Sequence, residues 1–166
     1  MATPYKSAGD NDASASLCGW EFQVGAAICL FLDNIREATS IKVEGKKQDI
    51  EIFTDEKTYL AQAKSVQQMH DQSHWKEQLQ RSIVSLSKYD DKQYELIYVS
   101  NLSDPLNIGD KSFTLGTDTE FNILSDESQK LIRGFADHKD FPKTVFRVKN
   151  HPFLWKRTWV VYYSPK

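Results

Sequence analysis

Between Ile41 and Lys64 the chain carries three short extended segments in succession, and this run constrains the fold more than any other. Ile41 and Val43 mark a first strand, Gly45-Lys46-Lys47 a turn, and Asp49-Ile50-Glu51-Ile52-Phe53 a second strand. Thr54-Asp55-Glu56-Lys57 reads as a hairpin loop and Thr58 to Lys64 as the third strand. Side chains alternate between the faces of a strand, so Asp49 and Glu51 share one face, and so do Leu60, Gln62 and Lys64. The hairpin returns the end of the third strand to the start of the second. Asp49 is thereby brought within reach of Gln62 and Lys64.

A sheet needs cover, and the flanking sequence supplies it. Leu17 to Asn34 reads as a helix with Trp20, Val24, Ala27, Ile28 and Phe31 as its buried stripe. Ser73 to Tyr89 reads as a second helix, with Ser73 as N-cap and Trp75, Leu79, Ile83 and Leu86 on one face. Tyr94 to Ser100 (YELIYVS) is an apolar, β-rich strand. The order is α, β, β, β, α, β, an α/β fold with a mixed central sheet and a helix on each face. After the loop at residues 101–105, Lys111 to Thr117 reads as a strand, and Ser125 to Asp137 as a helix with Leu131, Ile132 and Phe135 inward. Thr144 to Lys149 and Thr158 to Tyr163 read as strands about a His151-Pro152 loop. Met1 to Ser16, rich in Ala, Ser, Asp and Asn, is expected to be a flexible leader. Residues 17–166 then form a single domain, its core at 17–101 and an extension at 102–166.

Composition narrows the function classes. A chain of 166 residues that is 40% hydrophobic and 27% charged is an ordinary globular domain with room for a core. Its net charge of −2 does not mark a nucleic-acid binder. Residues 143–166, however, carry Lys143, Arg147, Lys149, Lys156, Arg157 and Lys166 among aromatics, with no acid. That pattern suits either a nucleic-acid surface or amphipathic strands with lysines on the wet face. Cys18 and Cys29 would lie ~16 Å apart along a helix, so both are expected as thiols. No apolar run spans a bilayer and no signal pattern opens the chain, so a cytoplasmic protein without a membrane partner is expected. His70 and His74 lack a third ligand for zinc and read as surface histidines. The Walker loop, the GxSxG elbow and paired CxxC are all absent from the sequence.

A carboxylate with a neighbouring oxygen ligand can hold Mg²⁺, and a lysine beside them can orient or activate a water for attack on a phosphate. Asp49, a short hairpin and then Gln62-Ala63-Lys64 resembles the PD-(D/E)xK nuclease signature, in the variant where glutamine replaces the second acid. Gly19-Trp20-Glu21-Phe22-Gln23 resembles the helix opening of one branch of that superfamily. Val43-Glu44-Gly45 followed by Asp49-Ile50-Glu51-Ile52 is similar to the same branch, as is the Trp75-to-Leu79 spacing. The branch is the endonuclease domain at the N-terminus of bacterial anti-phage effectors, including those of cyclic-oligonucleotide (CBASS) systems. The resemblance covers roughly residues 14–101.

The resemblance implies a restriction-endonuclease-like αβββαβ core and a Mg²⁺-dependent endonuclease, with Mn²⁺ as a substitute, that cleaves double-stranded DNA. Asp49, Gln62, Lys64 and Glu21 are the implied catalytic residues. Asp49, Gln62, the main-chain carbonyl of Ala63 and Glu51 are the implied metal ligands, and Lys42, Lys46, Lys47 and Gln23 the implied DNA contacts. Several of these have a plain structural alternative. Glu21 either reaches the metal or sits in a first turn where a negative charge suits the helix dipole. Glu51 is a ligand or an orienting group, and Glu44 a supporting acid or an exposed one. The lysines meet phosphates or simply solvate a turn, and Gln23 is a family residue or a surface amide. Glutamine in place of an acid lowers the negative charge of the site and should weaken metal binding. The same fold could instead serve as a non-catalytic nucleic-acid-binding or protein-interaction module. A homodimer, and a regulatory sensor domain or subunit, are implied by resemblance alone.

Overall fold

The computed structural model describes residues 10–66, 74–113, 116 and 118–151. Helix α1 (Asp10–Asp33) is followed by strands β1 (Ala38–Val43), β2 (Ile50–Thr54) and β3 (Thr58–Lys64). Helix α2 (Trp75–Ser87), strands β4 (Tyr94–Ser100) and β5 (Asp118–Glu120), helix α3 (Asp126–Phe135) and strand β6 (Phe146–Asn150) complete the order. The strands form one sheet in the order β1-β2-β3-β4-β6-β5. The β1–β2–β3 meander is antiparallel, β3–β4–β6 is parallel, and β5 closes the far edge antiparallel. This is an α/β fold built on a mixed sheet with helices on both faces.

Two apolar layers hold it. On one face Phe22, Ala26, Ala27 and Leu30 of α1 pack on Ile50, Ile52, Tyr59, Ala61, Ala63, Ile97 and Val99. On the other, Leu79, Ile83 and Leu86 of α2 and Ile132 of α3 pack on Leu60, Leu96, Tyr98, Phe146 and Val148. Each fully buried Leu, Ile, Val or Phe among them contributes about 1.5–3 kcal/mol, and the alanines less. Alternation along β3 therefore turns Tyr59, Ala61 and Ala63 toward α1, and Leu60 and Gln62 toward α2. The middle of β4, Leu96 to Val99, is buried and apolar on both faces, as a central strand covered on two sides requires, with the buried Glu95 and Ser100 flanking it.

The register sets up the site. β2 pairs with β3 from Ile50 opposite Ala61 to Phe53 opposite Thr58. β3 continues to Lys64, opposite Ser100 of β4. Gln62, Ala63 and Lys64 thus run past the end of β2 and border a notch in the sheet.

Several expectations are corrected. Residues 1–9 of the expected leader lie outside the described residues, and α1 begins at Asp10, before the expected start at Leu17, so residues 10–16 are helical. That segment has no apolar stripe to reveal it, and a helix whose later turns are anchored can extend through alanines and serines on modest propensity. The buried stripe of α1 also has another phase: Trp20 and Ile28 are exposed, while Phe22, Ala26 and Leu30 are buried. This helix is apolar nearly all round, and small Ala26 and Ala27 permit the closest approach to the sheet. Lys111 and Ser112 form a turn, and the strand expected there is instead the short β5 at Asp118–Glu120. The residue preceding α2 is His74, which makes no side-chain cap; Ser73 lies outside the described residues, as do His70 and the expected strand at 158–163.

Candidate active site

The turn before β2 is shaped by a buried acid. Glu51 sits under the chain, 4% exposed, and one of its carboxylate oxygens accepts the Lys47 amide at 2.6 Å. A Cβ at Gly45 would collide with the Glu51 side chain, so any larger residue there would have to displace that buried carboxylate. Glu44 adopts φ 51°, a left-handed conformation uncommon for a residue with a side chain, and its amide donates to the Asp49 carbonyl at 2.7 Å. Glu51 thus acts as the scaffold of the turn. Its alternation face is the one shared with Asp49, but its carboxylate is engaged by Lys47.

Asp49 stands where β2 would otherwise continue. Had the strand run on, the main chain of residue 48 would have faced Ala63, two residues beyond the Ile50–Ala61 pair. The chain turns away instead, and Asp49 Oδ2 accepts the Ala63 amide at 3.1 Å. The Lys64 ammonium donates to the same oxygen at 2.9 Å, and the Gln62 amide nitrogen donates to Oδ1 at 3.1 Å. Acid, amide and amine are therefore gathered on one carboxylate. The pair remains accessible, with Lys64 30% and Asp49 19% exposed. In an extended strand the N–H and C=O of one residue point to the same side, so the Ala63 carbonyl also faces the notch.

Behind Gln62 lies a polar network that sequence reasoning did not identify. The Gln62 nitrogen also donates to Gln48 Oε1 at 2.7 Å. Gln48 in turn donates through Nε2 to the Ser85 carbonyl at 3.0 Å, and its oxygen accepts the Ser85 hydroxyl at 3.2 Å. The Ser82 hydroxyl approaches Gln62 Oε1 at a long 3.5 Å. Gln48 and Ser82 are buried. The available signal was Ser82 itself, a hydroxyl on the helix face that also carries Leu79, Ile83 and Leu86.

The remaining expected residues are dispersed. Glu21 lies on α1, across the sheet from Gln62, and its Oε2 is buried without a hydrogen-bond partner. Its neighbour Phe22 packs on the ring of His151, whose amide donates to Ser100 opposite Lys64. Glu21 therefore belongs to the same end of the sheet as Lys64. Gln23 is half-buried on the same helix. Lys42 lies over the Phe53 ring at 5.0 Å and Lys46 is exposed. The Lys47 ammonium donates to the Tyr94 hydroxyl at 2.8 Å, a bond that raises its pKa. Tyr94 starts β4, about 20 Å along the strand from Ser100 at the usual rise, so Lys47 is directed away from Lys64. In the acid-free tail, Arg147 pairs with Glu95 and Lys149 with Asp33 and Asp118, inside the fold.

Among the described residues no three His, Cys, Asp or Glu side chains group to hold an ion. A cation at this corner could use the Asp49 carboxylate and the Ala63 carbonyl, with water filling the rest. Comparison of the chain with protein families, with curated proteins and with solved structures found no match. No helix among the described residues is long and apolar enough to cross a membrane.

Proposed function

We propose that this chain is a Mg²⁺-dependent endonuclease domain that hydrolyses phosphodiester bonds of double-stranded DNA, on a restriction-endonuclease-like fold and in the setting of anti-phage defence. The observation that carries the reading is the convergence of Gln62, Ala63 and Lys64 on the Asp49 carboxylate beside an open notch. Support also comes from the α, β, β, β, α, β order of the first six elements.

The donors fit a hard cation that keeps most of its water and takes one or two carboxylates. Asp49 and the Ala63 carbonyl would hold it. Bound magnesium, with Mn²⁺ as a substitute, supplies Lewis-acid charge and a more acidic water. Lys64 is the mobile positive group: on substrate binding its ammonium can leave Asp49 for a phosphate oxygen and stabilise the charge that develops there. Water oxygen bonds to phosphorus, the bond to the leaving sugar oxygen breaks, and the proton lost by water is balanced by one gained at the leaving oxygen. The exposed Lys46 provides a phosphate contact, whereas Lys47 is held by Tyr94.

Nicking of supercoiled plasmid with Mg²⁺ tests this. Wild type should cut, EDTA should stop it, and Asp49→Ala and Lys64→Ala should be inactive while folded. A folded wild-type protein that binds DNA in EDTA and never cuts would replace the enzyme with a non-catalytic binding module on the same fold.

A further inference from the structure

The buried amides behind the notch determine which end of Gln62 meets Asp49. The Ser85 carbonyl is a main-chain oxygen and can only accept, so the end of Gln48 that faces it must be the NH₂ group. Gln48 then presents its oxygen to Gln62, at 2.7 Å. That oxygen in turn requires the NH₂ end of Gln62, and the Asp49 carboxylate at 3.1 Å requires the same. The Ser85 hydroxyl, which can donate or accept, donates to Gln48 Oε1 in this arrangement at 3.2 Å. The two ends of this relay, the Ser85 carbonyl and the Asp49 carboxylate, can only accept, and between them they fix both amides. The Gln62 oxygen is directed inward, toward Ser82.

We infer that Gln48 is a positioning residue, anchored on the Ser85 carbonyl, that locks Gln62 as a hydrogen-bond donor to Asp49, so that Gln62 orients the carboxylate and is not itself a ligand of the cation. The inference rests on the endonuclease reading for its consequence, not for its geometry. It explains how an amide serves where an acid would be expected. A carboxylate at position 62 would set acceptor against acceptor at both Gln48 and Asp49, whereas the amide supplies the donor that both need. Turning Gln62 over to ligate a cation would break its bonds to Gln48 and Asp49 together and set its NH₂ end away from both acceptors.

The test combines a spectroscopic and a kinetic measurement on the full chain. With glutamine side chains labelled in ¹⁵N and ¹³C, the Gln62 NH₂ protons should exchange slowly without metal and stay protected when Mg²⁺ is added. The Gln62 amide carbon should move little on that addition. Gln48→Met should abolish the protection, and Asp49→Asn should shift the Gln62 resonances. In nicking assays Gln48→Met should lower kcat about tenfold, the usual scale for an outer partner of a metal site, with KM for DNA unchanged. Should Gln48→Met fail to fold, Gln48→Ala removes the acceptor that faces Gln62 without adding an apolar chain, and the same losses are expected. Loss of Gln62 protection on adding Mg²⁺, with a large carbon shift, would overturn the inference, because it would make the amide oxygen a ligand. An unchanged kcat in a folded Gln48 variant would overturn it as well. If wild type never nicks, the endonuclease reading fails by itself, and the exchange data still decide the orientation of Gln62.

Discussion

Two lysines in this molecule sit beside aspartates, and their surroundings make opposite use of the same chemistry. Lys149, its side chain 6% exposed, is bridged by Asp33 at 2.5 Å and Asp118 at 2.7 Å and ties the end of α1 to the edge of the sheet. Burial alone would lower its pKa, but the two carboxylates outweigh that and raise it. Lys64 has one carboxylate, is 30% exposed, and borders a notch where a neighbouring strand has stopped. A buried charge with two partners is fixed, and moving it would strand the ammonium and take the cation from both carboxylates. A half-exposed charge with one partner can exchange that partner for a substrate at small cost. The difference separates a lysine that holds the fold from one that can act.

The sharpest way to break the contrast is at Lys64. Lys64→Ala and Asp49→Ala should each reduce nicking by about 10³-fold, the upper scale for removing one charge-stabilising group, with little change in melting temperature. A variant that loses activity only by unfolding would place Lys64 with Lys149. Next in size, Lys149→Met should cost roughly 2–3 kcal/mol of stability, read by urea unfolding. The lower end applies because Asp33 is 52% exposed and can be resolvated. Nicking by this variant below its melting temperature should persist.

The alkaline limb of stability sharpens the same point. Because the folded pKa of Lys149 lies above its ordinary 10.5, the ion pairs stabilise fully below that pH and their contribution is lost as pH rises through the folded value. Melting curves from pH 9 to 12 should fall more steeply for wild type than for Lys149→Met; parallel curves would show that the bridge adds nothing. The smallest effect is expected at Lys47, directed to Tyr94 and away from the notch. Lys47→Ala should change DNA affinity less than twofold in a binding titration, and less than Lys46→Ala does.

What was legible in the sequence follows the same division between local pattern and long-range partnership. β3 and β4 have the bounds read from sequence, because β-rich runs ended by turn residues leave few other options. Asp49, Gln62 and Lys64 came together because a hairpin and side-chain alternation are local rules. The phase of α1 was not legible: apolar residues surround that helix, and only the sheet selects Phe22 and Leu30 over Trp20 and Ile28. Nor could the tail cations be assigned, since Arg147 and Lys149 find acids more than twenty residues away in the chain. Gln48 was hidden for a different reason. A glutamine beside a turn looks solvated until a serine carbonyl from α2 appears behind it.

One consequence follows from the place where β2 starts. The stretch from Gly45 to Ile50 works as a ruler: were it reset so that residues 48 and 49 zipped onto β3, main-chain pairing would claim the Ala63 amide and shut the aperture. A single-residue insertion or deletion next to Ile50 would reverse parity and swing the acid to the opposite side of the sheet. Among chains that share this architecture, the length of this short connector should therefore distinguish active members from inactive ones more reliably than the identity of its side chains.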